Sequence, residues 1–279
     1  MKNYALIGYP LSHSFSPILH GLVYRSWELP NVYLSWEVLP EELELAIPML
    51  KRNLAGFNVT APHKKAIIRL LDDLDFSAQL YGAVNTVKSE DGKLIGFNTD
   101  GAGFLKGLSE VDYELTNKHI LLLGAGGAAQ TIALELAHQG CPVTIANREL
   151  SEAYALKLLL EKRFPEASVE IAQLNDIPKG SYSCIINATP VGMGSLANES
   201  PISSDYFRGV ELAYDLIYNP AETLFLKEAE KMGCLTVNGL TMLIAQGLKA
   251  IEIWFEREID AELEENIYSS IAKELYGND

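Results

Sequence analysis

Residues 119–140 read HILLLGAGGAAQTIALELAHQG. A short apolar run, then glycines at 124 and 126 with Ala129 three positions on, then an amphipathic helix closed by Gly140, describes a buried strand turning sharply into a helix. Gly124 permits the tight turn, Gly126 lets the main chain approach a pyrophosphate, and Ala129 allows the helix to lie close on the strand. Unpaired amides at the helix start can then receive phosphate oxygens. The segment therefore predicts a parallel sheet with crossover helices and a dinucleotide at this turn, in preference to a bare structural turn.

The end of the following strand, PVTIANRE, bears on which dinucleotide. A carboxylate about 20 residues past the glycines would take the ribose 2′-hydroxyl of NAD, but Asn147 stands there, followed by Arg148. That pair favours a 2′-phosphate, hence NADP with NAD as the alternative. Glu149 and Glu152 stand close by and oppose the extra phosphate.

On either side of this unit the pattern repeats. Strand-like YALIGY, VYLSWEV and AGFNVT alternate with helical pieces from Pro17 to about Trp27 and through PEELELAIPML, the rhythm of parallel strands joined by helices. AVNTVKSEDGKLIGFNTD is then two β-rich runs split by Asp91-Gly92, a hairpin signal. A helix through GAGFLKGL leads to the polar stretch SEVDYELTNK, where one lobe is expected to give way to the next. PVTIANR, SVEIA, SCIINAT and VELAYDLIY supply further strands, and the tail from Gly239 is two helices expected to pack on the first lobe. The fold class read here is α/β in two lobes, residues 1–110 completed by 239–279, and a dinucleotide-binding lobe over 111–238.

At 279 residues with 48% hydrophobic content, the chain is long enough for two such lobes. Its net charge of −15 disfavours broad binding to nucleic acid or anionic lipid, so an anionic ligand must be held by a few local groups. No segment approaches the roughly 20 apolar residues of a membrane span, and the start lacks the apolar region of a signal peptide; a cytoplasmic protein is expected. Cys141, Cys184 and Cys234 have no paired-ligand spacing and are read as core residues, with no metal expected. The acceptor triplets at Asn58, Asn187 and Asn198 need a secretory route and are read as chance matches.

GYPLSHSFSPILH places Ser16 before Pro17 in the form of an N-cap serine with proline at the first helical position. Ser14 is then not needed as a cap, and the two hydroxyls beside a helix start make a compact carboxylate receptor. His13 receives no role. In GFNVTAPHKK, helical period puts Lys64 on a face with Ile67, Ile68 and Leu71, and Lys65 on a wet face with Arg69 and Asp72. A catalytic Lys64 and a snorkelling Lys64 are equal on spacing alone. Asp100 can be a helix cap and Asn85 a turn residue. Combined with the glycine turn, though, a lysine, a carboxylate and an anion site could oxidise or reduce a small hydroxy acid.

The whole series SHSFSP, FNVTAPHK, GAVNTV, GFNTDGAGF, GAGGAA, NR, NATPVGM, YDLIYNP and NGLTMLIAQG resembles the shikimate dehydrogenase family, in that family's order and nearly end to end. The resemblance implies an N-terminal substrate-binding lobe, a Rossmann-type cofactor lobe and a cleft between them. It implies that Ser14 and Ser16 bind the substrate carboxylate, that Thr60, Asn85, Asp100 and Gln246 contact ring hydroxyls, that Tyr218 edges the cleft, and that Lys64 and Asp100 are the catalytic pair. For the cofactor it implies Gly124, Ala125, Gly126, Gly127, Ala128, Asn147 and Arg148, the loop residues Asn187, Thr189 and Met193, and Gly239. Gln246 also stands out independently, as a polar residue on the helical face of Met242, Leu243, Ala250 and Ile253. In one respect the chain departs from the pattern: NADP-using members carry a threonine after the Asn-Arg pair and a second basic residue beyond it, where this chain has Glu149 and Glu152.

The implied reaction is reversible NADP-dependent reduction of 3-dehydroshikimate to shikimate, in aromatic amino-acid biosynthesis, with Lys64 as the acid. The rival readings are a quinate/shikimate dehydrogenase using NAD and a non-catalytic ligand-binding regulator of the same fold. The expected partner is a small-molecule substrate, with no nucleic acid or membrane, and the chain is expected to be a monomer or homodimer.

Overall fold

The computed structural model describes residues 2–11 and 14–277. They divide into two compact units, one of residues up to Gly103 together with those from Ile244, the other from Phe104 to Leu243. The divisions fall within helices α5 (Asp100–Ser109) and α9 (Leu240–Phe255), whereas the sequence reading put them at 110/111 and 238/239. His13 lies outside the described residues.

The first unit is built on a six-stranded mixed sheet of order β2-β1-β3-β5-β6-β4. Its strands are β1 (Asn3–Gly8), β2 (Val32–Glu37), β3 (Gly56–Val59), β4 (Asp73–Leu74), β5 (Thr86–Glu90) and β6 (Lys93–Phe97). β1, β2 and β3 run parallel, whereas β5 runs antiparallel to both β3 and β6. Asp91 and Gly92 both adopt positive φ, 50° and 74°, as the tight turn joining β5 to β6 requires.

Side-chain alternation along β1 gives each face of this sheet its own core. Ala5 and Ile7, in register with Phe57 and Val59, face a core with Leu43 and Leu50 of helix α2 (Leu43–Asn53). Tyr4 points the other way and stacks on Trp254 of α9 with centroids 4.7 Å apart. On that face Gly56 is paired with Tyr4, and any β-carbon at 56 would overlap the Trp254 indole. The indole Nε1 donates to the Val87 carbonyl at 2.9 Å. Helix α1 (Ser16–Ser26) and α10 (Ala261–Tyr276) complete this layer.

In the second unit all strands of a six-stranded sheet run parallel, in the order β12-β11-β10-β7-β8-β9. These are β7 (Ile120–Leu123), β8 (Val143–Asn147), β9 (Val169–Gln173), β10 (Cys184–Asn187), β11 (Leu212–Asp215) and β12 (Leu235–Val237). Counted within the unit this is 3-2-1-4-5-6, the doubly wound order in which ligands bind where the winding reverses, outside the carboxyl ends of strands 1 and 4. Here those strands are β7 and β10. β7 is buried at every residue, as a strand covered on both faces must be. The three cysteines are free and buried, and burial pushes the Cys141 thiol up to about 11. Among the described residues no helix is long and apolar enough to cross a membrane.

Candidate active site

Strand direction gathers the polar residues of the first unit. Because β5 opposes β3 and β6, the start of β5 lies at the same edge of the sheet as the ends of β3 and β6. Lys64 follows β3, Asn85 precedes β5 and Asp100 follows β6. The Lys64 ammonium meets Asp100 Oδ2 at 2.6 Å. The Asn85 amide nitrogen donates to Asp100 Oδ1 at 2.8 Å and to Thr99 Oγ1 at 2.9 Å, and lies 3.5 Å from Gln246 Oε1. Asn85 Oδ1 in turn accepts from the Thr99 amide and the Thr86 hydroxyl, both at 2.9 Å. Asn85 is thus a buried hub that fixes one carboxylate oxygen and leaves the other to the lysine.

Helical phase placed the two lysines on different faces, and their exposure differs accordingly: Lys64 is half-buried and Lys65 exposed. The α-helix itself, α3 (His63–Ala66), is only one turn and tightens into a 3₁₀ turn over Ile67–Leu70. The inward direction of Lys64 is fixed by its neighbours: His63 Nε2 bonds the Val38 carbonyl at 2.7 Å, and the Lys64 carbonyl accepts from the Val84 amide at 2.8 Å.

At the start of α1 the roles of the serines are reversed from the sequence expectation. Phe15 occupies the N-cap and Ser16 is the first helical residue, so Ser16 is not a capping side chain. Ser14 Oγ accepts from the Ser16 amide at 3.2 Å, satisfying one of the orphan donors of the first turn. The Ser14 hydroxyl keeps its own proton for another acceptor, and the Ser16 hydroxyl faces the Tyr33 phenol. Tyr33 donates to Asn58 Oδ1 at 2.8 Å, and Asn58 Nδ2 reaches the Asn85 carbonyl at 3.2 Å and Thr86 Oγ1 at 3.0 Å. A continuous polar chain therefore runs from the paired serines to the Lys64–Asp100 pair. Thr60 sits at the end of β3, its amide bonded to the Ile7 carbonyl at 2.9 Å.

Sequence reasoning missed Asn58, Thr86, Thr99 and Tyr33. The available signal was AGFNVT itself, in which an asparagine interrupts a buried strand.

Within the second unit, the turn after β7 has the geometry a dinucleotide needs. Gly124 has φ of +106°, and a β-carbon there would lie 3.0 Å from the Ala188 carbonyl oxygen. Past Ala125, Gly126 caps helix α6 (Gly127–His138), and a β-carbon at either Gly126 or Gly127 would meet nothing within 4 Å. Ala128 is exposed beside them, while Ala129 is buried under the helix. The turn therefore presents bare main chain and helix-start amides to open space, and these residues fit a pyrophosphate.

Asn147 ends β8 directly beside this turn, since Leu123 pairs with Ala146 and Gly124 donates to the Ala146 carbonyl at 2.8 Å. Its side-chain nitrogen donates to the Glu149 carbonyl and to Glu152 Oε2, each at 2.9 Å. Arg148 is exposed, and its guanidinium has no ion pair among the described residues.

Asn187 is fully buried at the end of β10 and spends its side chain inside the loop. It donates to the Val191 carbonyl and Asp215 Oδ1, both at 3.0 Å, and accepts from Thr189 Oγ1 at 2.7 Å. Asp215, which sequence reasoning passed over, also accepts from the Ile217 amide at 3.0 Å and Thr223 Oγ1 at 2.6 Å. Burial pushes its carboxyl up to about 6 against the pull of those donors. Met193 is exposed at the loop's tip and Tyr218 is partly buried after β11. Gly239 donates to the Ile217 carbonyl at 3.0 Å and packs so closely on Leu216 that a β-carbon would overlap its carbonyl.

Two described families match the chain, one after the other. Residues 6–87 match the family described as shikimate dehydrogenase substrate binding domain, and residues 107–195 the family described as shikimate / quinate 5-dehydrogenase. Shikimate dehydrogenase (NADP(+)) of Methanocaldococcus jannaschii is 45% identical over 271 residues, 95% of each chain. Among solved structures, shikimate 5-dehydrogenase of Listeria monocytogenes in complex with shikimate and NAD superposes with a TM-score of 0.90 at 33% identity, covering 96% of both chains. That of Thermus thermophilus with NADP(H) and shikimate gives 0.84 at 34% identity, covering 97% of this chain and 99% of the other. With two family descriptions matched in order and a relative so similar along nearly its whole length, the chain belongs to the shikimate dehydrogenase family.

Proposed function

We propose that this chain catalyses the reversible NADP-dependent reduction of 3-dehydroshikimate to shikimate, with the first unit binding the substrate and the second the cofactor. The observation that carries the reading is the Lys64–Asp100 pair at 2.6 Å, held by a buried asparagine at the edge of the first sheet. When bound, NADPH supplies the hydride that reduces the ketone carbon. The ketone oxygen then needs a proton, and the Lys64 ammonium delivers it; in the oxidation direction Lys64 takes the proton from the hydroxyl. Asp100 Oδ2 orients that ammonium and Asn85 fixes Oδ1, so the acid is pre-positioned. Thr60 and Gln246 supply neutral hydrogen-bonding groups for ring hydroxyls, while Asn85, whose amide hydrogens and carbonyl oxygen are committed to Asp100, Thr99 and Thr86, acts on the substrate by positioning Asp100. Ser14 binds the carboxylate by donating its hydroxyl proton at a helix start, and Ser16 joins it by turning its hydroxyl from the Tyr33 phenol to the ligand, which suits a chain whose overall charge of −15 would repel an anion.

In the second unit Gly124 to Ala128 cradle the pyrophosphate, Arg148 takes the 2′-phosphate, and Thr189, Met193 and Gly239 border the nicotinamide end. Asn187 acts there by shaping its loop. The pathway served is aromatic amino-acid biosynthesis.

The test is an assay of purified protein with shikimate and NADP⁺, followed by absorbance of the reduced nicotinamide, with quinate and NAD⁺ in parallel arms. Turnover of shikimate with NADP⁺ supports the proposal. Turnover of quinate at comparable kcat/KM moves it to the broader quinate/shikimate activity, and no turnover with any pair refutes it.

A further inference from the structure

At the adenosine end the structure brings together what the sequence keeps apart. The strand-end carboxylate that would hold a ribose hydroxyl is missing from β8, where Asn147 stands instead. Glu152, in the first turn of helix α7 (Leu150–Arg163), returns a carboxylate to that place: its Oε2 lies 2.9 Å from Asn147 Nδ2. The other bond from the same nitrogen, to the Glu149 carbonyl, also at 2.9 Å, leaves Asn147 with both amide hydrogens committed and only Oδ1 open to a ligand. A second tie holds the segment, since Gln173 Nε2 donates to the Arg148 carbonyl at 2.8 Å. The strand end therefore presents one fixed carboxylate and one arginine without an ion pair among the described residues.

We propose that Glu152, pinned by Asn147, is a specificity-determining residue that accepts hydrogen bonds from the adenosine ribose of NAD and opposes the 2′-phosphate drawn by Arg148, so that the chain binds both dinucleotides. A carboxylate is acceptor-only and matches a ribose diol, whereas beside a phosphate dianion it is repelled. Arg148 has the reverse preference. Asn147 serves as the positioning residue, holding the carboxylate without neutralising it. The inference rests on the proposed dinucleotide site at the β7–α6 turn.

The test measures binding without turnover, by titration calorimetry of NAD⁺ and NADP⁺ into the wild type, Glu152→Gln and Arg148→Gln. Glutamine keeps an oxygen for Asn147, so only the charge is removed. The wild type is expected to bind the two within about tenfold of each other. Glu152→Gln should raise the ratio Kd(NAD)/Kd(NADP) by about tenfold, and Arg148→Gln should lower it. A ratio within about twofold of wild type in Glu152→Gln overturns the inference and leaves the proposed function standing, as does a wild type that binds NAD more than 100-fold more weakly than NADP. Should the wild type bind neither dinucleotide, the proposed site falls and the inference with it.

Discussion

Replacing Asp215 by asparagine isolates the energetic cost of a buried charge next to the loop that ends β10. Burial raises the folded-state carboxyl to about 6, against 3.8 for an ordinary aspartate. Between those values the folded protein holds more protons than the unfolded chain, so this group's contribution to stability falls as pH rises and levels off above about pH 7. The full difference corresponds to roughly 3 kcal/mol, and the portion lying between pH 5 and pH 7 to about 1.3 kcal/mol. In Asp215→Asn the Oδ1 position can still accept from Asn187 and Ile217, but the new amide faces Thr223 Oγ1. That hydroxyl must then turn its hydrogen away while still accepting from the Leu226 amide as the cap of helix α8 (Leu224–Lys231). The rearrangement costs about 1 kcal/mol at every pH, so the diagnostic quantity is the slope.

Urea denaturation from pH 5 to 7.5 should be followed by far-ultraviolet circular dichroism, because Trp27, Trp36 and Trp254 all belong to the first unit and their fluorescence reports on it. On going from pH 7 to pH 5 the wild type should gain about 1.3 kcal/mol relative to the variant. A difference that stays flat, or that grows in the opposite sense, refutes the assignment of a desolvated carboxylate at this position.

Lys64→Ala should lower kcat by about 10²–10⁴-fold with calorimetric NADP affinity unchanged, while Lys65→Ala stays within about twofold of wild type; an inactive Lys65→Ala with an active Lys64→Ala reverses the assignment. Ser14→Ala should raise the KM for shikimate about tenfold and cost about 1 kcal/mol in urea stability, because its oxygen also serves the Ser16 amide. An unchanged KM in that variant confines Ser14 to the helix start. Gly56→Ala should destabilise the first unit by at least about 2 kcal/mol with a changed tryptophan emission, since the indole it displaces is tied to the Val87 carbonyl; wild-type stability and spectrum would show that Trp254 can move aside freely.

Much of the cofactor half was legible because its signals are local. The Gly124 turn, the apolar strand before it and the buried Ala129 behind it are all set within a few residues of chain, and Asp91-Gly92 announced its hairpin in the same way. What escaped depends on pairing across the sheet. Asn58 reads as one polar residue in a strand until β5 is laid antiparallel to β3 and brings Asn85 and Thr86 alongside. Asp215 lies in a run of apolar residues and acquires its environment from Asn187 on β10 and Thr223 beyond the strand. The serine roles were exchanged for a finer reason. Proline at position 17 is compatible with a helix starting one residue earlier, and which oxygen caps the first turn is settled by backbone angles at Phe15, which sequence does not print.

The contact of Trp254 with Tyr4 and Gly56 bears on the order in which the molecule is made. Synthesis runs from the amino end, so the strands of the first sheet emerge before the second unit, yet the indole that covers one of its faces is some 200 residues behind Gly56 and appears only after the second unit. The second unit is contiguous from 104 to 243 and has all its strands in hand while the first still has an uncovered aromatic face. The unit that is begun first is thus finished last. Its open face, carrying Tyr4 and the bare backbone at Gly56, is the surface that a growing chain must keep from other partners until α9 arrives.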